Sequence, residues 1–517
     1  MSAANAGWTQ MTPVTQAIDR GDQHLTQELT STQGLPGPVI SARAVWLAGL
    51  MLVVVTILTR GIWLGNPVAD FDEQLYSFIG WRMTHGELPF VDWWDRKPFG
   101  LFAIFAFAHA LMGPGPVAYQ LLAAAFALGG AVLVLRLVQE MTDLFAGAIA
   151  GALYLLLIAA YASFSGQTEV FFLPLMLGMV WLLRDPAHPD FARRALWAML
   201  LGGLALQIKY SVLPQCLFLG GWALWHHARA GKSLPQLAGI ALSFAVMGLL
   251  PTMLVGLFYA AIGQWNAFVF ANFLSFFDRE AASQGRWAQS HWIGVAPIAI
   301  LVIGGLYASM RMDPPKDRAR YIFYVMWALA SLATVLLPGT VYLYYYAALV
   351  PAAVLVATPL IGYRHIPALV LLGAAFYILQ LPDRWAQSRA DSAAATQLAT
   401  AIAPHVGATD NCLFIFDGPT ALYRMTGSCV PTRFAYPDHL NNALESNALG
   451  VGQDIEVARV LATVPGAIVT ADRPMTHQNP VATGLVESAL ALGYREEATV
   501  TMHGRKLTAW VRRTDQP

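Results

Sequence analysis

Charge is scarce in this sequence. Asp, Glu, Lys and Arg make up only 12% of the 517 residues, against 56% hydrophobic, and the mean hydropathy is +0.51. Soluble domains carry about 25% charged residues, so an ordinary water-soluble chain is excluded. The charge that exists cancels, 31 basic against 31 acidic, and nothing points to nucleic acid as a partner. Cysteine is nearly absent: Cys216, Cys412 and Cys429 are the whole complement. No His/Cys/Asp cluster has metal-ligand spacing, so neither a metal nor another cofactor is expected. There is no internal repeat. The polar residues 1–43 lack the apolar core of a signal peptide and read as a disordered cytoplasmic tail, and the first apolar run, Ala44–Leu64, is too long for a cleaved signal.

What is present is a series of apolar runs long enough to cross a hydrocarbon layer of ~30 Å. Eleven are expected: Ala44–Leu64, Val117–Val138, Leu144–Ala162, Val170–Leu183, Ala195–Ile208, Val212–Trp225, Leu237–Ile262, Trp292–Met310, Tyr321–Leu337, Tyr342–Ile361 and Pro367–Leu381. A twelfth, Pro98–Met112, is short and Pro-led, and reads as a helix lying on or dipping into the membrane. With that assignment one set of loops holds eleven basic residues, among them Arg136, Arg184, Lys232, Lys316 and Arg364, and the other only Lys209, Arg279 and Arg286. Cytoplasmic loops carry the excess, which places the N-terminus inside. From Asp383 on, short β-type runs ("CLFIF", "GAIVTAD", "EEATVTM", "KLTAWVRR") alternate with helical patterns. The expected fold is a polytopic all-α membrane domain, residues 44–382 with external juxtamembrane helices, followed by a small soluble α/β domain, 383–517, outside the cytoplasm.

The first external loop, 65–116, concentrates charge in "FDEQLYSFIGWRMTHGELPFVDWWDRKPFG", Phe71–Gly100. Asp72 and Glu73 open an amphipathic helical pattern (Leu75, Tyr76, Ile79, Met83) that breaks at "HGELP". Trp93 and Trp94 suit a headgroup interface. Lys97 precedes an apolar helix. A carboxylate can take a proton from an acceptor hydroxyl, and a lysine can neutralise a departing phosphate. Together they suit transfer of a sugar from a lipid-phosphate carrier, which needs no nucleotide on the outer face.

In that loop the sequence resembles the integral-membrane GT-C glycosyltransferases, the group of protein O-mannosyltransferases and lipid A aminoarabinose transferases. The resemblance implies a catalytic carboxylate at Asp72 with Glu73 as companion, and Lys97, with Arg96 beside it, toward the donor phosphate. "GQTEVFFLPLMLGMVWLLR" resembles the family's Glu-bearing span, with Glu169 near its outer end. "LLGGLALQIKYSVLPQ" is similar to its Gly-rich span ending in a lysine, here Lys209. "VYLYYYAALVPAAVLVA" resembles its aromatic-Pro segment, with Tyr344 where many relatives have a histidine. Phe99 replaces the second proline of the family's "KPP" element. A polyprenyl-phosphate sugar is implied as donor, with a lipid, polysaccharide or protein as acceptor, in a membrane such as the bacterial inner membrane.

Other readings stand beside this one. Glu169 and Lys209 line the site or merely cap and snorkel at span ends; Tyr344 and Tyr345, with Tyr342 and Tyr346, form an aromatic belt or touch substrate. "DFD", Asp70–Asp72, mimics a metal-nucleotide signature, and His226-His227 reads as a solvated cytoplasmic pair. Gly263–Gln289 is an interfacial helix with a closing segment, or a resting loop. The alternative function is a transporter or flippase of envelope glycan precursors. Finally, a strand, a short helix and a returning strand would bring Cys412 and Cys429 together as a disulfide, which an oxidising compartment permits.

Overall fold

The computed structural model describes residues 41–280, 287–312, 314–337, 341–363 and 366–513. The tail expected to be disordered lies almost wholly outside the described residues. The chain divides into Met1–Leu47, of which only the start of one helix is described, and Ala48–Pro517, one compact unit.

Its helices follow the apolar runs: α1 Ala42–Arg60, α2 Phe71–Met83, α3 Phe99–Met112, α4 Pro116–Met141, α5 Leu144–Ala160, α6 Thr168–Leu183, α7 Phe191–Leu206, α8 Leu213–Arg229 and α9 Leu234–Ala261. Polar residues set several starts: Asp143 accepts from the Ala146 N–H at 2.8 Å, and Ser233 with Gln236 closes a capping box. Close packing is set by glycine. A Cβ on Gly203 of α7 would lie 2.3 Å from the Gly248 carbonyl of α9, so any side chain there would push the two helices apart. After Trp265–Val269 come α11 Trp287–Arg311 and α12 Arg318–Leu336, with α10 being the short Trp265–Val269 piece.

Among the described residues five helices are long and apolar enough to cross a membrane: Ala42–Trp63, Pro116–Met141, Leu234–Ala261, Gly294–Arg311 and Arg318–Leu336. The remaining expected spans are helical but shorter. Tyr342–Ile361, expected as one span, is broken into a 3₁₀ stretch Leu343–Leu349 and two short helices, α13 Val350–Val356 and α14 Thr358–Ile361, each with proline in its first turn. The His226-His227 pair also departs from expectation: α8 runs on to Arg229, and His227 is buried between the Phe191 and Phe244 rings rather than solvated.

Helix α15, Ile366–Leu379, leads into the polar α16, Leu381–Ile402, which carries the chain to a four-stranded sheet. The strands are β1 Leu413–Ile415, β2 Ala467–Ala471, β3 Tyr494–Met502 and β4 Arg505–Arg512, in the order β1-β2-β4-β3. β1 and β2 are parallel, with Phe414 opposite Ile468; β4 is antiparallel to both neighbours. The β3–β4 turn is His503-Gly504, both at positive φ, as a two-residue hairpin requires. Helices α17 Ala421–Thr426, α18 Pro437–Asn441, α19 Gln453–Ala462 and α20 Pro480–Gly493 complete this region.

The sheet region is docked on one end of the helices. Asn66 donates to the Ser388 carbonyl (3.2 Å) and His503 Nε2 meets the Val68 carbonyl (2.8 Å). At that same end Arg60 donates to the Ser163 carbonyl (2.7 Å), the Gly65 N–H to Gln120 (2.7 Å), and the Leu101 N–H to the Gln207 carbonyl (3.0 Å). The opposite end is marked by Glu140, which accepts from Arg184 (2.8 Å) and Arg320 (2.7 Å).

Docking changes the fate of the first loop. Helix α2 is not amphipathic on a surface; Glu73 through Gly80 are all buried, because α3 lies on one side and α17 on another. A Cβ on Gly80 would lie 2.6 Å from Phe105 of α3. The two tryptophans expected at a headgroup layer are buried as well. Trp93 packs edge-on to Phe78 (4.7 Å between centroids) and its indole N–H meets Glu87. Trp94 belongs to the core of the sheet region, beside Phe434 and His439, and its backbone N–H donates to the Arg433 carbonyl (3.0 Å).

Candidate active site

The start of α2 organises the acidic residues. Asp70 is its N-cap, accepting from the N–H groups of Asp72 (3.0 Å) and Glu73 (3.3 Å). A helix N-terminus favours carboxylates in its first turn, which explains why three are placed so close. Successive helix residues point about 100° apart, so the carboxyls diverge. Glu73 turns into the packing, where the Gly166 N–H (2.6 Å) and the Tyr119 hydroxyl (3.2 Å) donate to it. It is fully buried, and burial pushes its pKa up to about 7 against those hydrogen bonds. Burial, then the charges of Asp72 and Glu73, push Asp70 well up.

Asp72 takes a different direction. Its Oδ1 accepts from the Tyr436 hydroxyl at 2.7 Å and its Oδ2 from Gln167 Nε2 at 3.2 Å; the same amide donates to Asp70 at 2.9 Å. Gln167 is the N-cap of α6. The next residues of that helix start are Thr168 and Glu169, and Thr168 donates to Glu169 at 2.8 Å. Glu169 forms an ion pair with Lys209, at the turn after α7; they are 0% and 8% exposed. The Lys209 ammonium stands 3.8 Å from the Tyr345 ring centroid and 5.5 Å from that of Tyr344.

Lys97 arrives from the other side. Its backbone N–H donates to Asp95 (2.6 Å), and its ammonium lies 5.5 Å from the Tyr76 ring centroid. Burial alone would raise Asp95, but the Lys97 charge and His439, 3.5 Å away, hold it down to about 2. Tyr76 is 1% exposed and its hydroxyl has no partner among the described residues. Tyr345 feels the charges of Lys97, Glu169, Arg279 and Asp72; Tyr344 those of Asp72 and Glu169. Two carboxylates, Asp72 and Glu169, and two lysines, Lys97 and Lys209, therefore act on Tyr344 or Tyr345, with the Tyr76 phenol near Tyr344.

Six of the residues singled out in the sequence are thus gathered: Asp72, Lys97, Glu169, Lys209, Tyr344 and Tyr345. Two are not. Glu73 is enclosed behind α2, and Arg96, although near enough to act on Tyr345 and Tyr342, has its charge taken up by Glu445, which also accepts from Arg279 at 2.8 Å. Asp70 is occupied as a cap, and among the described residues no three His, Cys, Asp or Glu side chains are placed to hold a metal ion. Tyr344 and Tyr345 are half-buried against Lys209. Cys412 and Cys429 are joined, their Cα atoms 4.8 Å apart; the link closes β1 and α17, and no returning strand follows.

Several contributors carried no motif. Gln167 could have been found as an amide two residues before Glu169. Tyr436, Asp438, His439 and Glu445 lie in the sheet region, hundreds of positions from their partners, and no local pattern marks them. Asp438 is half-buried, and burial first, then the Asp72 charge, raise its pKa to about 6.

Comparison with known proteins bears on this arrangement. The family model of dolichyl-phosphate-mannose-protein mannosyltransferases matches residues 96–251. A dolichol phosphate-mannose mannosyltransferase of Haloferax volcanii is 23% identical over 171 residues, 32% of this chain and 36% of that protein; the match spans about a third of the relative's length. ArnT from Cupriavidus metallidurans superposes with a TM-score of 0.60 over 91% of this chain and 98% of ArnT, both in the apo state (16% identity) and bound to undecaprenyl phosphate (14%). The chain has the fold of ArnT.

Proposed function

We propose that this chain is a GT-C glycosyltransferase that moves a sugar from a polyprenyl-phosphate carrier to an acceptor hydroxyl at the external membrane face. The observation that carries the reading is that Asp72 is bonded to Gln167, two residues before the Glu169 that pairs with Lys209 against Tyr345, while Lys97 stands over Tyr76 one helical turn on from Asp72. It is supported by the mannosyltransferase family match and by a fold shared with a protein crystallised with undecaprenyl phosphate.

In this mechanism Asp72 accepts the proton of the acceptor hydroxyl as its oxygen bonds to the anomeric carbon. The bond from that carbon to the phosphate oxygen breaks, and the phosphate leaves with the extra negative charge. Lys97 stabilises that charge as it develops. Lys209, partly neutralised by Glu169, supports it from the opposite side, and the partnerless Tyr76 hydroxyl is a donor for a phosphate or sugar oxygen. Glu73 and Arg96 keep the loop in shape and do not touch substrate. The eleven-span topology, with the sheet region outside the cytoplasm, belongs to the same proposal.

The test is transfer from a panel of undecaprenyl-phosphate-linked sugars, mannose first, by the purified full chain in lipid nanodiscs. Asp72→Asn should abolish transfer while leaving undecaprenyl phosphate binding intact; Lys97→Ala should weaken that binding at least tenfold. Normal turnover by Asp72→Asn removes the carboxylate from the mechanism. No transfer from any lipid-linked sugar, with the chain shown to be folded, removes the activity.

A further inference from the structure

The Asp72 carboxylate is held by two donors from different parts of the chain. Gln167 is on a helix of the membrane region, but Tyr436 belongs to the sheet region, 364 residues away in sequence. The Tyr436 ring is fixed on two sides, by Phe71 (centroids 5.1 Å apart) and by His439 (5.3 Å). It is the N-cap of α18, with Pro437 next, so its backbone is fixed as well. Burial, then the charges of Asp72 and Asp438, push its phenol well above the ordinary value, and it remains a donor.

The segment that presents Tyr436 is itself bolted to the stretch that sets Lys97. The Arg433 carbonyl accepts from Trp94, His439 meets Asp95, and Glu445 binds Arg96. Three successive residues of the first loop, Trp94 to Arg96, therefore each contact Arg433–Glu445. One piece of the sheet region holds the proposed base through Tyr436 and sets the approach of the proposed phosphate-binding lysine through its neighbours.

We infer that Tyr436 is a positioning residue for sugar transfer, so that the catalytic centre is complete only with the sheet region in place. The inference rests on Asp72 being the base. With both carboxylate oxygens fixed, one lone pair faces the acceptor in the orientation that proton transfer needs, and misplacement of a reacting group is costly in rate. Without the phenol, Asp72 keeps only the longer bond from Gln167 and can rotate about its own χ angles.

The experiment compares Tyr436→Phe with the wild-type chain, using the undecaprenyl-phosphate sugar that the wild type turns over best. The ring contacts remain and only the hydroxyl is lost. kcat is expected to fall about 10- to 100-fold, the range for one hydrogen bond to a charged group. KM for the lipid donor should stay within about twofold, and the thermal midpoint should not move. A wild-type kcat in Tyr436→Phe, beside an inactive Asp72→Asn, overturns the inference and leaves the base assignment standing; a raised KM with unchanged kcat overturns it too, by placing the phenol in donor binding. An active Asp72→Asn overturns both. A readout free of turnover is cross-linking of Asp72→Cys with Tyr436→Cys in a Cys216→Ser background by a short bis-methanethiosulfonate. A cross-link in the folded full chain is expected, and its absence removes the juxtaposition on which the inference stands.

Discussion

Lys209 and Glu169 form an ion pair with almost no access to water, 8% and 0% exposed. Removing one partner of a buried pair leaves the other charge uncompensated, at a cost of about 3–5 kcal/mol, whereas replacing both with apolar groups is often nearly neutral. Lys209→Met should therefore lower the thermal midpoint in detergent sharply, and Lys209→Met with Glu169→Leu should recover most of the loss. If the double variant is no more stable than the single one, the pair is not the source of the cost. Neither variant should support efficient transfer, since Lys209 also faces the site.

Glu73 gives a dependence on pH. Its pKa is raised from 4.5 to about 7 in the folded chain, so the folded state holds a proton that the unfolded state has released between those values. Stability from this group is greatest at and below pH 4.5 and is lost as pH rises through about 7. Glu73→Gln, which cannot ionise, should flatten the fall of the thermal midpoint between pH 5 and 8 and raise the midpoint at pH 8. An unchanged slope would show that Glu73 titrates normally.

Glu445 joins Arg96 of the first loop to Arg279, which follows the Trp265–Leu274 helical turns, and the Glu280 N–H donates to the Leu444 carbonyl at 3.0 Å. Replacing it leaves two close arginines without their shared anion. Glu445→Gln should speed protease cleavage near Arg279 several-fold and reduce transfer without abolishing it. Cleavage at the wild-type rate would show that the segment is held by its aromatic packing instead.

The cysteines can be counted chemically. Unfolded without reductant, the chain should show one reactive thiol, Cys216, and with reductant three. Reduction should destabilise the sheet region by about 3 kcal/mol, as expected for releasing a loop of this size in the chain-entropy account. Three thiols without reductant would mean the link does not form in the cell.

Local rules carried the sequence reading a long way, and they failed where tertiary packing decides. Apolar runs located the helices, because length and hydropathy are properties of contiguous residues. Four β-type runs past Pro382 correspond to four strands for the same reason. The proximity of Glu169 to Lys209 was suggested only by their places at span ends. The burial of Trp93, Trp94 and α2 was not legible: an aromatic, charged loop reads as interfacial until another region covers it. Adjacency also misled. Asp72 and Glu73 are neighbours in sequence, yet helical geometry sends one toward Tyr436 and the other toward Tyr119.

The seating of Trp94 in the core of the sheet region has a consequence for how the protein is made. A ribosome delivers this tryptophan about 340 residues ahead of its receptacle around Phe434 and His439. Through most of synthesis the indole has nowhere to go, and the loop that bears Asp72 and Lys97 has no fixed roof. Capture of the ring by that later segment is then the event that closes the first loop. A nascent chain halted before that segment would have its helices but not the arrangement on which the proposed sugar transfer rests, so under that proposal no reaction begins until residues 434–439 have been made.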